Sequence, residues 1–191
     1  PVVLVAVPEP HRWLGPSLVP GALAVWLLQP LLAGRGLRRR RRRRKDLSVD
    51  LWWLGVVAAF ASLGTSGAAL LLDDPRWPVA FGWVAVWGWA GLIVHGMLTR
   101  IIPFLLWFHR HAGRLGAGHA PGPPMARLLP KRAAALGMRA HVGALLLGLA
   151  ALLTQSPWLF GAAGTALMIA GGFMGGWMWV ALRRAGQHSL D

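Results

Sequence analysis

Residues 51–72 read LWWLGVVAAFASLGTSGAALLL, without one charge, and are bounded by Asp50 on one side and Asp73-Asp74-Pro75 on the other. A helix needs about 20 apolar residues to cross the hydrocarbon of a bilayer. This stretch is therefore expected to span a membrane, with Asp50 as its N-cap. Reading outward, four further spans are expected, over 17–33, 79–108, 133–154 and 158–182. Pro16, Pro20 and Pro30 punctuate the first of these, so a helix starting near Pro16 and kinked at Pro20 is expected there. The 79–108 span is long enough to tilt, with a kink near Pro103. Between 109 and 132, Gly, Pro and Arg crowd together, which reads as an irregular loop. The expected fold is an all-α integral membrane protein, one domain of about five transmembrane helices over residues 1–191.

Composition agrees. Of 191 residues 55% are apolar and 14% charged, with a mean hydropathy of +0.51, where a soluble domain carries about a quarter charged residues. Twelve Trp and no Tyr suit membrane interfaces. The absence of Cys rules out disulfides, thiolate metal sites and a Cys nucleophile. The chain opens at Pro1, already apolar and without a basic n-region. That reads as a processed start or as the ordered part of a longer chain, and not as a signal peptide. Residues 1–15, with Pro8, Pro10 and His11, form an extended or interfacial lead-in, or the end of an earlier helix.

The +14 net charge raises the question of nucleic acid, but no soluble domain between the spans is large enough to present a reading element. Nine of the twenty Lys/Arg lie between Arg35 and Lys45. The run Arg38, Arg39, Arg40, Arg41, Arg42, Arg43, Arg44 and Lys45 suits an anionic leaflet surface. Loops 34–50 and 109–132 and the tail after 182 hold sixteen Lys/Arg, and the opposite side only Arg12 and Arg76. Short basic loops stay cytoplasmic. The expected topology is N-terminus outside and C-terminus inside, in a prokaryotic plasma membrane.

Small residues let helices approach in lipid. Gly171, Gly172, Gly175 and Gly176 make two overlapping GxxxG spacings, read either as a contact for another transmembrane subunit or as chance in a Gly-rich span. Ser62, Thr65 and Ser66 can bond across helices or back to their own turn.

No hydrolase, kinase or nucleotide-binding signature is present, and no acidic residue falls inside an expected span. That weakens a cation-coupled transporter. What remains at membrane depth is His95, His141, Arg100 and Arg139. At a rise of 1.5 Å per residue, His95 sits about 24 Å below the outer surface and His141 about 8 Å above the inner one. In a hydrocarbon layer about 30 Å thick those depths nearly coincide. Sequential antiparallel helices are neighbours, so the two imidazoles can ligate a haem iron or another metal, while Arg100 and Arg139 can hold propionates. The simpler alternative has both Arg snorkelling to headgroups and both His bonded to backbone carbonyls or serines. His109 and His111 point apart on a helix, so joint ligation requires the helix to have ended before them. His11 reads as an interfacial anchor beside Trp13, and His119 and His188 carry no assignment.

The stretch VHGMLTRIIPFLLWFHR over 94–110 resembles a K/R-I-V/I-P-F-L-x-W-F-x-R pattern in membrane proteins related to the haem–copper oxidase catalytic subunit and to the NnrS family. MARLLPKR over 125–132, leading to His141, is similar to the same group. The resemblance covers about Leu92 to His141. It implies a haem-binding, redox-related respiratory subunit, with haem b as cofactor and other transmembrane subunits as partners. The family's haem-ligating helix also runs outside to inside with two helices after it, as the His95 span does. Met97 stands where that family has a second His, and a chain without Tyr cannot build its tyrosine-linked copper centre, so the resemblance implies a low-spin haem or its relic. The other expectation is a non-catalytic structural or assembly subunit of a larger membrane complex.

Overall fold

The computed structural model describes residues 14–40, 46–116 and 128–187, all helical or in short connections. The chain divides into two units, Pro1–Arg43 and Arg44–Asp191. The first contains α1, Leu14–Arg38, which covers the expected first span, carries Pro20 and Pro30 within it, and has Arg35 and Arg38 in its last turn. Basic side chains suit that negative end of the helix dipole. Arg41, Arg42, Arg43, Arg44 and Lys45 lie outside the described residues.

The second unit holds four helical rods. α2 is Leu47–Leu71. α3 is a continuous rod of three segments, Arg76–Trp83, a π-helical Val84–Ala90, and Gly91–Gly116. α4 is Lys131–Thr154 and α5 is Pro157–Gln187. Among the described residues four stretches are long and apolar enough to cross a membrane: Leu47–Leu71, Arg76–His109, Lys131–Thr154 and Pro157–Arg184. The protein is thus an all-α, multi-pass membrane protein.

The helices overrun most of the expected boundaries, and two of these differences have a visible cause or consequence. α2 begins four residues early, because Asp46 and not Asp50 caps it: its extended backbone lets the carboxylate accept from the Ser48 amide at 3.1 Å. α3 continues past His109 to Gly116, so the expected loop is shorter, and His109 packs edgewise against Phe108 on an intact helix. α4 stops at Gln155, whose left-handed backbone turns the chain directly into α5. The hydroxyls of Ser62 and Thr65 donate back to carbonyls of their own turn.

α2 packs along all three segments of α3, and α4 along α5. Leu51 and Ala58 of α2 meet Val84 and Leu92 of α3 in a buried cluster bordered by Met138, Val142, Leu145 and Leu149 of α4. Contact is close where glycine removes a side chain. A Cβ at Gly96 would lie 3.1 Å from the Leu51 Cβ, one at Gly88 3.1 Å from the Ala58 Cβ, and one at Gly148 would overlap the Trp83 indole. Gly171, Gly172, Gly175 and Gly176 meet nothing within 4 Å, so the expected GxxxG contact is not made inside the described chain.

Ion pairs close the two ends. Arg76 binds Asp74 at 2.8 Å and reaches the Leu153 carbonyl at 2.9 Å, joining the α2–α3 turn to the end of α4. At the other end Arg100 pairs with Asp46. Partial burial opposes ionisation of Asp46, but its bonds to Arg100 and Ser48 prevail and hold the carboxyl below its ordinary range.

Overpacking at Gly148 is expected to cost about 1–3 kcal/mol. In detergent, Gly148→Ala should lower the thermal midpoint, and should lower it much less in a Trp83→Leu background than in the wild type; an additive pair would refute the contact. A depressed carboxyl adds stability that is present above its unfolded value and is lost as pH falls through its folded one. Asp46→Asn should therefore flatten the acid limb of the unfolding curve below about pH 4 and leave the shape near neutrality unchanged.

Candidate functional site

The site is built where α3 and α4 cross. Trp83 and Trp87 lie one turn apart, in and just before the π-helical segment, and their rings stack with centroids 6.1 Å apart. Each indole N–H donates to an α4 carbonyl, Trp83 to Leu145 at 3.0 Å and Trp87 to His141 at 3.4 Å. The His141 imidazole stacks on the Trp87 indole at 4.3 Å, 21° from parallel. The stack thus runs Trp83, Trp87, His141, and the last ring meets His95.

The two histidines are in direct contact. Nδ1 of His95 lies 3.2 Å from Nδ1 of His141, with the rings tilted by 42°. Nε2 of His141 lies 3.0 Å from the Trp87 carbonyl. His95 is 3% and His141 5% exposed. The depth estimate therefore put the right pair side by side. They hydrogen-bond to each other instead of opening toward a common iron, and both His141 nitrogens are engaged, so no bis-imidazole ligand set is formed.

The π-helical segment makes this possible. The Gly91 N–H is directed to the carbonyls of Val86 and Gly88, bypassing Trp87, whose carbonyl then takes His141. π-helical turns inside α-helices are frequent at functional sites for this reason, since they re-aim one carbonyl.

Two glycines seat the rings. A Cβ at Gly91 would stand 3.3 Å from Cε1 and Nε2 of His141, and one at Gly137 would stand 3.7 Å from Cε1 and 3.8 Å from Nε2 of His95. Each histidine thus lies over the glycine four residues ahead of the other: Gly91 precedes His95 and Gly137 precedes His141. This reciprocal G-x-x-x-H spacing, on antiparallel helices, was legible in the sequence but was not singled out there. The Phe173 Cβ of α5 stands 3.3 Å from the Gly137 Cβ position, so α5 closes the site.

Two buried polar atoms have no hydrogen-bond partner among the described residues, Nε2 of His95 and Nε1 of Trp177. Trp177 is fully buried and lies one turn beyond Phe173 on α5. An imidazole nitrogen with a buried, unmatched lone pair is the donor that a metal ion uses. Of the two buried imidazoles, His95 keeps one nitrogen unengaged and His141 keeps none. Among the described residues no group of three His, Asp or Glu side chains gathers to hold an ion.

Arg100 and Arg139 do not join the pair. Arg100 is exposed and bound to Asp46, and Arg139 is exposed on α4. On a helix at 100° per residue, position 100 points about 140° from His95, and 139 about 160° from His141. Depth along a helix is legible from residue count, but the face a side chain takes was not anticipated for Arg100 and Arg139. Nor were Trp83, Trp87, Gly91, Gly137 and Trp177 anticipated, which read in the sequence as interfacial aromatics and span glycines.

No family model matches this chain, and neither a curated protein nor a solved structure is similar to it.

Proposed function

We propose that this chain is a haem-associated subunit of a membrane redox or respiratory assembly, with His95 as its single axial ligand. One observation carries the reading: Nε2 of His95 is buried without a partner, while Nδ1 of the same ring is engaged by His141. Metal-ligating histidines characteristically use one nitrogen for the metal and the other for an orienting hydrogen bond. Haem b bound there would supply one-electron transfer. The residues of this chain hold and orient the ring and exclude water from it. Association with other transmembrane subunits supplies what the described helices lack, namely a second ligand and groups for the propionates, since Arg100 and Arg139 face elsewhere.

A second reading is a non-catalytic structural or assembly subunit. It is favoured by the enclosure of His95 between Gly137 and Phe173 and by the open Gly171, Gly172, Gly175 and Gly176 face of α5, where small residues permit close docking of a foreign helix.

We also propose five crossings with the N-terminus outside. Arg38 to Lys45 then meets the anionic headgroups of a prokaryotic plasma membrane, in keeping with the sixteen-to-two division of Lys/Arg between the two sides.

Absorption spectra of freshly purified protein, oxidised and then dithionite-reduced, separate the first two readings. A Soret band that His95→Ala abolishes is expected. A featureless spectrum, together with partner loss on Gly172→Leu or Gly176→Leu, would move the assignment to the second. The chain has no Cys, so single Cys variants report sidedness directly. Gln155→Cys should react with an impermeant maleimide in intact cells, and Lys131→Cys only after permeabilisation; the reverse pattern inverts the topology.

A further inference from the structure

We infer that His141 is a positioning residue which, held by the carbonyl that the π-helical segment of α3 releases, fixes the tautomer of His95 and leaves its Nε2 lone pair facing Gly137. The protons on the two rings can be counted. A carbonyl accepts and never donates, so the 3.0 Å contact between His141 Nε2 and the Trp87 carbonyl places a proton on that nitrogen. A neutral imidazole carries one N–H, so His141 Nδ1 is bare and accepts. The Nδ1–Nδ1 contact of 3.2 Å needs one proton, which must then come from His95. His95 is left with Nδ1–H toward His141 and a bare Nε2, the atom without a partner.

The competing state is an imidazolium at His141, donating from both nitrogens. It would reverse His95, leaving a buried N–H in place of a lone pair. That state buries an ion, and among the described residues no carboxylate bonds to either ring, so the charge would go uncompensated where compensation matters most. The neutral chain is favoured.

The direction of the chain also limits its use. A proton taken up at His95 Nε2 can move across to His141, but the Trp87 carbonyl cannot accept the proton that His141 would pass on. The pair orients and does not conduct, which argues against a proton path through it. Gly91 is part of the device, because a side chain there would press on the His141 ring at 3.3 Å and lift it from the carbonyl.

The use of this lock to aim a metal-ligating nitrogen rests on the haem reading; the lock itself does not. It is tested on haem-free protein by 15N NMR of histidine-labelled full chain in phosphatidylcholine–phosphatidylglycerol bilayers. The wild type should give one histidine protonated only at Nδ1, lost in His95→Ala, and one protonated only at Nε2, lost in His141→Asn. In His141→Asn the amide oxygen replaces Nδ1 as acceptor, so His95 should keep its Nδ1 proton. In His141→Leu His95 should divide between both tautomers. A wild-type His95 protonated at Nε2, or an unchanged His95 signal in His141→Leu, overturns the inference. The wild-type spectrum decides by itself if the leucine variant does not fold. Expected tautomers with no Soret band after haem supplementation would retain the lock and remove the haem reading.

Discussion

Lipid offers no hydrogen bonds, so every polar group that this chain takes into its spans must be met by another part of the chain. That constraint organises the crossing of α3 and α4. Two indole N–H groups and one imidazole N–H on these helices are each directed at a main-chain carbonyl of the other. Such bonds reach only if the backbones come close, and closeness is supplied by Gly88, Gly91 and Gly148, where a Cβ would crowd α4 or, at Gly148, the Trp83 indole of α3, while at Gly137 it would crowd Phe173 of α5. Aromatic rings then fill the space that the glycines leave. The polar bonds and the packing are therefore one arrangement, and neither exists without the other.

The π-helical segment is where the two meet. It shifts the hydrogen-bond ladder of α3 by one residue and releases the Trp87 carbonyl at the depth where His141 arrives. Without it, that carbonyl would be satisfied within α3, and His141 would need another acceptor in a region that has few. The order of the stack, Trp83, Trp87, His141, His95, follows from one turn of α3 on each side of this segment. The ends of the bundle are secured by different means: at one, Arg76, paired with Asp74, reaches the Leu153 carbonyl at the end of α4, and at the other Arg100 of α3 pairs with Asp46 at the start of α2.

The unmatched Nε2 of His95 and Nε1 of Trp177 are exceptions to the same constraint. Among the described residues they are the two buried side-chain atoms that no other group meets. Both lie near α5, the helix whose glycine face is open along much of its length.

The apolar runs, their lengths and their bounding charges determined by themselves that this is a helical membrane protein, because the cost of carrying charge into hydrocarbon leaves little choice about where a helix crosses. They determined as well that His95 and His141 lie at one depth, since the rise per residue is fixed. Tertiary structure decided everything that depends on which way a side chain points. Arg100, about 7 Å nearer the cytoplasmic end of α3 than His95, turns away to Asp46, because five residues carry it to another face of the helix. The phase of α3 above Gly91 was equally out of reach, since one π-helical turn rotates all that precedes it and nothing in the local sequence demands that turn. The carbonyl that this turn frees is met by His141, fifty-four positions from Trp87, a residue that only the folded bundle brings within reach.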